Sequence, residues 1–244
     1  MIYLSGFHAI EERIKSGSPC STLLIAKPGP RAREIMTLAR ERKIPVNRVG
    51  TADLDRLAAD HRGILLELDE GHKTSGSETS LEELVASLGD RKEALAVILD
   101  EITDPHNYGA ILRSCDQFGA DIVITRKRRI AKYAEVIAKT SAGASAWVPT
   151  AEAANLIRAV EILKDAGFWI FGADMKGENA WNKDLSGRCA IILGGEGKGI
   201  SRILKESCDA LIAIPSKGRL DSLNVSVAAG ILFYEVMRQR RGKR

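Results

Sequence analysis

The stretch I-I-L-G-G-E-G-K-G-I-S occupies residues 191–201. An apolar run ending at Leu193 leads into four glycines within six residues, and a helical pattern follows them. This order predicts a buried strand, a tight turn of the main chain and the start of a helix, which is the usual arrangement of a ligand site in an α/β protein. The glycines at 194, 195, 197 and 199 permit positive φ and let a ligand approach the backbone.

The spacing of these glycines excludes two common phosphate-binding motifs. Lys198 is followed by Gly199 instead of Ser or Thr, and Ile192 stands where a Walker A loop needs its first glycine. The G-x-G-x-G pattern also differs from the dinucleotide fingerprint G-x-G-x-x-G, which argues against a nicotinamide enzyme. Glu196 lies among the glycines with no packing reason to be acidic, which favours a functional role. The stretch alone does not identify its ligand.

The composition is that of an ordinary globular protein with room for one large domain or two small ones. Of the 244 residues, 45% are hydrophobic and 28% are charged. No apolar run approaches the roughly 20 residues of a membrane helix, and no signal-peptide pattern begins the chain. The four cysteines are widely spaced, without a CxxC pair. These features predict a cytoplasmic protein with reduced thiols, without structural zinc and without a membrane partner.

The basic residues are clustered. The net charge is +4 and the pI is near 8.9. One cluster lies between Arg126 and Lys132, and another lies between Arg238 and Arg244. Such clusters suit nucleic-acid phosphates, because each neutralised phosphate releases condensed counterions. A solvated loop and a frayed basic tail would have the same composition, so both interpretations stay open.

The first 70 residues predict a small α/β unit. Its predicted helices are 5–15, 31–43 and 51–59, the last capped by Thr51, and its predicted strands are 22–26, 44–49 and 63–68. Residues 71–79 contain no apolar side chain, which marks a linker and a domain boundary. Ser80 and Glu83 then form a capping-box pattern that opens a short helix ending at Leu88.

From Leu95 onward, longer apolar strands alternate with helices. The predicted strands are 95–99, 121–125, 168–171, 189–193 and 210–214, and the predicted helices are 107–118, 130–141, 151–166, 200–207 and 224–240. This alternation predicts a parallel sheet covered on both faces, whose ligands bind beyond the carboxyl ends of the strands.

Three polar segments fall at those strand ends. In the first, Asn107 would begin a helix, and Arg113 follows six residues later, so the two side chains share a face only loosely. The second is the glycine stretch. In the third, Ser222 and Asn224 lead into a helix of small residues. Taken singly, Asn107 and Asn224 could be helix caps, and Arg113 could be a surface residue.

Taken together and in this order, the three segments resemble the motifs of the SPOUT-class RNA 2′-O-ribose methyltransferases of the TrmH and RlmB type. The matching stretches are N-Y-G-A-I-L-R-S at 107–114, L-G-G-E-G-K-G-I at 193–200, and I-P-S-K-G-R-L-D-S-L-N-V-S-V-A-A-G-I at 214–231. The resemblance covers about residues 95–240. The first 70 residues, ending in H-R-G-I at 61–64, also resemble the small RNA-binding domain that precedes the catalytic domain in the 23S ribosomal RNA guanosine branch. The tRNA-modifying branch typically lacks that domain.

The resemblance implies an α/β fold in which the C-terminal part of a parallel sheet is threaded as a trefoil knot. It implies an RNA substrate-binding domain at 1–73, a linker and short helix at 74–90, and a knotted methyltransferase domain at 91–244. It further implies a homodimer whose active site is completed across the dimer. S-adenosylmethionine would be held largely by backbone. The implied cofactor residues are Ala173, Gly194, Gly195, Ile214, Ser222 and Leu223.

The implied reaction is methyl transfer to the ribose 2′-hydroxyl of a guanosine in 23S ribosomal RNA. The resemblance places Arg113 at the reacting hydroxyl, and Asn107, Glu196, Ser222 and Asn224 around it. Since an arginine pKa exceeds roughly 12, Arg113 could orient the phosphate and stabilise the developing alkoxide instead of accepting the proton. No metal is implied. The same reaction on tRNA, or a non-catalytic RNA-binding or assembly factor, are the alternatives.

Overall fold

The computed structural model describes residues 2–15, 17, 20–58, 61–68, 80–126, 133–218 and 222–242. The chain divides into two compact units, each formed from two separate segments of the sequence. The first comprises Met1–Ser77 and Ile130–Trp147, and the second comprises Glu78–Arg129 and Val148–Arg244. Among the described residues, no helix has both the length and the apolar character that crossing a membrane requires.

Strands and helices are numbered in chain order. The strands are β1 (Ile2–Ser5), β2 (Thr22–Ile25), β3 (Val46–Arg48), β4 (Ile64–Leu68), β5 (Ala94–Asp100), β6 (Ile122–Arg126), β7 (Thr150–Ala153), β8 (Trp169–Asn179), β9 (Arg188–Gly194) and β10 (Ala210–Ala213). The helices are α1 (Phe7–Lys15), α2 (Pro30–Glu41), α3 (Thr51–Leu57), α4 (Leu81–Ser87), α5 (Pro105–Phe118), α6 (Ala134–Thr140), α7 (Leu156–Asp165), α8 (Arg202–Ser207) and α9 (Val225–Gly242).

The first unit is built on a mixed sheet of strand order β1-β4-β2-β3. Strand β4 is antiparallel to both of its neighbours, and β2 is parallel to β3. Helices α1 and α2 bury Ile10, Ile14 and Ile35 in the core of this unit. Helix α6 contributes Ala138 to the same core, which explains why a segment predicted to lie in the methyltransferase domain is grouped with the first unit.

In this unit the sequence analysis missed one strand and assigned one helix cap wrongly. Strand β1 was not predicted, since its assignment depends on pairing with β4, which a local sequence pattern does not contain. Thr51 does not cap α3; Gly50 is the N-cap, and its backbone N–H donates to Asp53 Oδ2 at 3.0 Å. The carboxylate at the third helical position therefore replaces a side-chain cap.

The second unit carries the predicted parallel sheet. Its strand order is β10-β8-β9-β5-β6-β7, and every described pair is parallel. All seven residues of β5 are buried, as the continuous apolar run predicts for a central strand. The Ser80 capping box is confirmed, because the hydroxyl accepts from Glu83 N at 3.1 Å and Glu83 Oε2 accepts from Ser80 N at 3.0 Å.

The predicted helix 151–166 was wrong in its first part. Residues Thr150–Ala153 form β7, which pairs with β6, and α7 begins only at Leu156. The boundary is set by Asn155, whose Oδ1 accepts from Ile157 N at 2.9 Å and so caps the helix.

Strand β8 is longer than predicted and is irregular. Its ladder with β9 ends at Gly172, and its pairing with β10 jumps from Gly172 to Glu178. Five residues, 173–177, therefore lie outside the regular ladder at the carboxyl end of the sheet.

Candidate active site

Helix α5 starts directly beyond the carboxyl end of β5. Asp104 is its N-cap, and its carboxylate accepts from His106 N at 3.1 Å and from Asn107 N at 3.3 Å. Pro105 occupies the first turn, where its missing N–H has no partner to lose. Because Asp104 serves as the cap, the side chain of Asn107 is available for other contacts; this residue is only 8% exposed.

The glycine stretch forms a closed turn after β9. A Cβ on Gly194 would lie 2.0 Å from the carbonyl carbon of Gly199, and one on Gly195 would lie 2.6 Å from the carbonyl oxygen of Glu101. Gly199 N donates to Gly195 O at 2.9 Å. Positive φ occurs at Gly197 and Gly199 but not at Gly194 or Gly195. Only the last two glycines therefore use the permitted positive φ, whereas the first two make room for the chain's own backbone.

Three predicted residues meet through hydrogen bonds. Asn107 Nδ2 donates to Glu196 Oε1 at 2.7 Å. Asn224 Nδ2 donates to Asn107 Oδ1 at 3.0 Å, and it lies 3.4 Å from Glu196 Oε1. The three residues come from the start of α5, the glycine turn and the residue before α9. We call them the Asn107–Glu196–Asn224 cluster.

Asn224 is fixed in orientation by the first turn of α9. Its Oδ1 accepts from Ser226 N at 2.9 Å, from Ser226 Oγ at 2.6 Å and from Val227 N at 3.4 Å. With the oxygen committed to these donors, the Nδ2 group must point toward Asn107 and Glu196. Asn224 is thus both a helix cap and a member of the cluster, so the two interpretations of this residue are compatible.

Arg113 and Ser222 are not brought into the cluster. Arg113 lies on the exposed face of α5, and Ser222 is exposed in the loop before α9. Neither side chain makes a hydrogen bond or an ion pair with any part of the chain that the structure describes. The predicted catalytic set therefore divides into three residues that are linked by hydrogen bonds and two that are not.

The predicted cofactor residues lie along three adjacent strands, β9, β8 and β10. Gly194 ends β9, and Ile214 directly follows β10. Ala173 is the first residue beyond the β8–β9 ladder. Leu223, with 44% of its surface exposed, stands beside Ser222 in the same loop that follows β10. Partly exposed residues at neighbouring strand ends fit a ligand that binds beyond the carboxyl ends of the strands.

Part of the C-terminal basic cluster serves the fold. Arg238 donates twice to the Glu235 carboxylate, at 2.7 Å each. Arg240 donates to the carbonyl oxygens of Ser186 at 3.1 Å and Gly187 at 3.0 Å. Lys243 and Arg244 lie outside the described residues, as do 127–132 of the other cluster. The side chains of Arg238 and Arg240 are therefore bound within the protein. They are neither part of a frayed tail nor free to bind phosphate with all of their donors.

Sequence reasoning missed Asp100. This carboxylate is fully buried at the end of β5, and its Oδ2 accepts from Ser201 N at 2.9 Å, just after the glycine turn. The signal was an aspartate ending the otherwise apolar strand A-L-A-V-I-L-D. An ionised side chain is seldom buried unless a partner compensates for its lost hydration.

Comparison with known proteins identifies the family. Residues 94–234 match the profile of the SpoU rRNA Methylase family. The chain belongs to this family. Residues 3–73 match a second profile, RNA 2′-O ribose methyltransferase substrate binding. The predicted assignment to RNA 2′-O-ribose methyltransferases of the TrmH type is thereby confirmed.

Full-length relatives carry compatible names. The chain is 41% identical over 218 residues to a tRNA/rRNA methyltransferase of Borreliella burgdorferi, covering 87% of this chain and 96% of that protein. It is 35% identical over 243 residues to a TrmH-family tRNA/rRNA methyltransferase of Bacillus subtilis, covering 98% and 96%. These two relatives thus cover 87% and 98% of this chain, and their names include both kinds of RNA.

Solved structures share the fold. The SpoU methyltransferase AviRb of Streptomyces viridochromogenes, in complex with AdoMet, has a TM-score of 0.77 at 24% identity and covers all of this chain and 91% of its own. The A. aeolicus TrmH/SpoU tRNA modifying enzyme has a TM-score of 0.57 at 32% identity, covering 67% of this chain and 83% of its own. The α/β fold with a parallel sheet is confirmed.

Proposed function

We propose that this SpoU-family protein transfers a methyl group from S-adenosylmethionine to the ribose 2′-hydroxyl of a guanosine in 23S ribosomal RNA. The observation that carries the proposal is the Asn107–Glu196–Asn224 cluster, because three segments distant in sequence converge on one polar site at the carboxyl edge of the sheet. Residues 3–73 match a substrate-binding domain, and this supports ribosomal RNA because the tRNA-modifying branch of the family that the sequence resembles typically lacks that domain. The tRNA modifying enzyme from A. aeolicus aligns with only 67% of this chain, which agrees with that preference.

The residues at the strand ends fit the methyl donor. Ala173, Gly194, Gly195, Ile214 and Leu223 would hold it through main-chain groups and one apolar side chain, and Ser222 would add a hydroxyl. When bound, S-adenosylmethionine supplies an electrophilic methyl group on its sulfonium sulfur. The irregular segment 173–177 beside Ile214 provides backbone groups that the sheet ladder does not use.

The side chains of the cluster would position the substrate hydroxyl. Glu196 Oε1 accepts from Asn107, while Oε2 accepts no hydrogen bond from the described residues. This free oxygen is suited to accept a hydrogen bond from the ribose 2′-hydroxyl as its oxygen attacks the methyl carbon. Asn107 and Asn224 hold the carboxylate in place, so that positioning contributes to the rate. The proton of the 2′-hydroxyl would pass to the Glu196 carboxylate as the oxygen bonds to the methyl carbon and the bond from that carbon to sulfur breaks. Arg113 would stabilise the negative charge that develops on the attacking oxygen.

Arg113 is the reason to propose a homodimer with shared sites. Within one chain its side chain is exposed and makes no hydrogen bond or ion pair with the cluster or with the other described residues. Helix α9 also presents an apolar stripe of Val227, Ile231 and Tyr234, which are 50%, 41% and 51% exposed. Tyr234 contacts Phe118 of α5 edge-on, with the ring centroids 6.1 Å apart, so the stripe lies beside the helix that carries Arg113. A second copy covering this stripe would bring its own Arg113 to the neighbouring site.

We also propose that the C-terminal part of the second unit is threaded as a trefoil knot. From β9 the chain runs through α8 to the edge strand β10, and it then returns to α9, which packs against α5 and β9. The close backbone contact of Gly194 with Gly199 fits a tightly threaded turn. A crystal structure in which α9 does not pass through a loop of the chain would contradict this topology.

The proposed compartment is the cytoplasm. Bacteria, from which the named relatives come, make ribosomal RNA there, and thiols stay reduced there. The support is that all four cysteines of the chain are free in the structure. Fractionation of cells that produce a tagged protein would test it, and recovery in the membrane pellet would count against it.

The substrate is tested by incubating the full chain with labelled S-adenosylmethionine and two unmodified transcripts, 23S ribosomal RNA and a tRNA pool. We expect 2′-O-methylguanosine in the ribosomal transcript, identified by mass spectrometry of nuclease digests. Label in tRNA alone would select the tRNA alternative. RNA binding without any transfer, together with no heat of S-adenosylmethionine binding, would select the assembly-factor alternative. The full chain is needed because removing 1–73 would uncover the face of α6 that packs on that core.

Sharing of Arg113 between subunits is tested by mixing Arg113→Ala and Asn107→Ala chains after denaturation and refolding. If each site combines Arg113 of one subunit with Asn107 of the other, a mixed dimer contains one intact site. An equimolar mixture should then regain about a quarter of wild-type activity. If both residues of a site come from one chain, no site is intact and the mixture stays inactive.

A further inference from the structure

Three residues form a row across the carboxyl edge of the large sheet. Asp100 of β5 is paired with Gly194 of β9. On the other side, Leu99 is paired with Thr125, which brings Arg126 of β6 next to Asp100. The row Arg126, Asp100, Gly194 therefore ends at the residue that leads into the turn carrying Glu196. The proposed function uses Gly194 but assigns nothing to Asp100 or Arg126.

Asp100 connects this row to the glycine turn. Its side chain has no exposed surface, and its Oδ2 accepts from Ser201 N at 2.9 Å. Its Oδ1 is buried and accepts no hydrogen bond from the described residues, but Arg126 Nη2 lies 3.5 Å away. Burying a carboxylate is costly unless a cation compensates for the lost hydration. Arg126 is the cation that the described residues supply.

Arg126 has capacity left for a second anion. Its side chain is 44% exposed, although one edge of its guanidinium faces Asp100. A guanidinium carries five N–H donors in a planar fork, which suits bidentate binding of phosphate oxygens. The guanidinium of Arg126 thus faces the buried Asp100 on one side. Its other side is open to solvent at the carboxyl edge of the sheet, where the Asn107–Glu196–Asn224 cluster also lies.

We propose that Arg126 binds a backbone phosphate of the RNA beside the modified nucleotide, and that Asp100 is the positioning residue that fixes its guanidinium. This inference rests on the proposed function, because it takes RNA as the ligand of this edge. Asp100 also holds Ser201, so one buried carboxylate sets the positions of both the phosphate-binding cation and the turn that carries Glu196. The distance between the bound backbone phosphate and the reacting ribose would thereby be fixed.

The chain offers a matched control at the opposite edge of the sheet. Arg91 precedes β5 and is ion-paired with Asp121, which precedes β6 and accepts from Leu95 N at 2.8 Å. The Arg91–Asp121 pair therefore has the same chemistry as the Arg126–Asp100 pair but lies at the amino ends of the strands. Arg91→Ala removes one positive charge without touching the proposed site.

The first experiment measures binding of the full chain to an unmodified 23S transcript over a range of salt concentrations. We expect Arg126→Ala to weaken binding about tenfold and to reduce the slope of log Kd against log salt by about one contact. Arg126→Lys should recover the slope but only part of the affinity. Arg91→Ala should match the wild type, and calorimetry should give each variant a near-normal affinity for S-adenosylmethionine.

The positioning role of Asp100 is tested by a double-mutant cycle. Asp100→Asn keeps an acceptor for Ser201 N and removes the attraction to Arg126. We expect it to weaken RNA binding in the wild-type background and to have no further effect in the Arg126→Ala background. An equal effect in both backgrounds would mean that Asp100 does not act through Arg126. Thermal unfolding of each variant identifies any that fail to fold, and the Arg126→Lys chain then carries the test.

The outcomes separate this inference from the proposed function. If the wild type neither binds nor methylates the transcript, the proposed function fails first. If the wild type is active and Arg126→Ala binds RNA with the same affinity and salt slope as Arg91→Ala, the proposed function stands and the phosphate role of Arg126 is overturned. The Arg126–Asp100 pair would then be a structural ion pair only.

Discussion

At the scale of single residues, Asn224 shows how one side chain can serve the fold and the site together. Its carbonyl oxygen accepts from the first turn of α9, and its amide nitrogen donates to Asn107. Reversing the amide would place Nδ2 against backbone N–H groups, so the cap determines which end faces the cluster. The stability of α9 and the orientation of the site therefore depend on the same group.

Replacing Asn224 by Ala should lower both stability and catalysis, and Asn155 provides the matched comparison. Asn155 also caps a helix, since its Oδ1 accepts from Ile157 N, but it has no part in the cluster. Loss of either cap should cost about 1 kcal/mol of unfolding free energy. Only Asn224→Ala should also reduce the methyl-transfer rate, by about 10²-fold to 10³-fold. Urea unfolding and single-turnover assays check the two effects; equal rates for both variants would remove Asn224 from the site.

From the sequence, the cluster could be predicted only because three motifs, taken together and in order, resemble those of a known family. Asn107 and Asn224 each looked like a possible cap, and periodicity cannot pair residues separated by 117 positions. The structure assigns the cap of α5 to Asp104 and thereby frees Asn107. For Arg113, the six-residue spacing from Asn107 already indicated that the two side chains share a helix face only loosely, and the exposed position of Arg113 agrees with that geometry.

At the scale of elements, the glycine turn is defined by what its glycines lack. Gly194 and Gly195 allow backbone segments to approach to distances that no Cβ tolerates. Gly197 differs, since its φ is +82° and a Cβ there would have open space. The four glycines thus serve two separate purposes, close approach and left-handed conformation, which composition cannot distinguish.

The two kinds of glycine should respond differently to alanine. Gly194→Ala places a Cβ 2.0 Å from the carbonyl carbon of Gly199, so the turn must move and Glu196 must leave Asn107. We expect methyl transfer to fall at least about 100-fold in this variant. Gly197→Ala incurs only a left-handed strain of about 1 kcal/mol and should keep most of the activity. Rates and thermal unfolding of both variants check this, and a fully active Gly194→Ala chain would contradict the closed turn.

The same scale shows which elements a sequence can define. Strands β5 and β9 were predicted within one residue at each end, because continuous apolar runs of that length fit a buried parallel strand. Strand β7 was not predicted and was included in a helix, because T-A-E-A is short and its alanines are compatible with a helix. Its assignment depends on pairing with β6, and pairing is a tertiary contact that a local pattern does not contain.

At the scale of the whole molecule, the position of a segment in the sequence does not always tell which compact unit it belongs to. Residues 130–147 follow β6 in sequence but belong by contact to the first unit, where Ala138 is buried. A prediction made along the sequence places a domain boundary where the composition changes, at 71–79. It has no means of detecting a segment whose apolar face is covered by an earlier part of the chain.

The second unit also contains acidic groups that burial keeps protonated. Burial raises the pKa of the Cys189 thiol to about 12 and that of Cys208 to about 11. Burial also raises the pKa values of Cys115 and of the Tyr108 hydroxyl. Desolvation is the largest cause in each case, because the anionic form would be removed from water.

These shifts predict that the free energy of unfolding decreases in alkaline solution. A thiol in the unfolded chain loses its proton near pH 9, whereas folded Cys189 retains it until about pH 12. Between these values the unfolded chain binds fewer protons, so stability falls by about 1.4 kcal/mol per pH unit for each such group. Below pH 9 the contribution of these thiols is complete and constant. Urea unfolding from pH 8 to pH 11 measures the slope.

Two cysteine variants identify the groups responsible for that slope. Cys189→Ala should reduce the slope throughout the alkaline range, whereas Cys208→Ala should reduce it only up to about pH 11, where the folded thiol itself ionises. Each variant will also lose some packing energy, but this loss is the same at every pH and leaves the slope unchanged. A stability that is flat above pH 9 in the wild type, or slopes that both variants leave unaltered, would mean that these thiols ionise equally in the folded and unfolded chains.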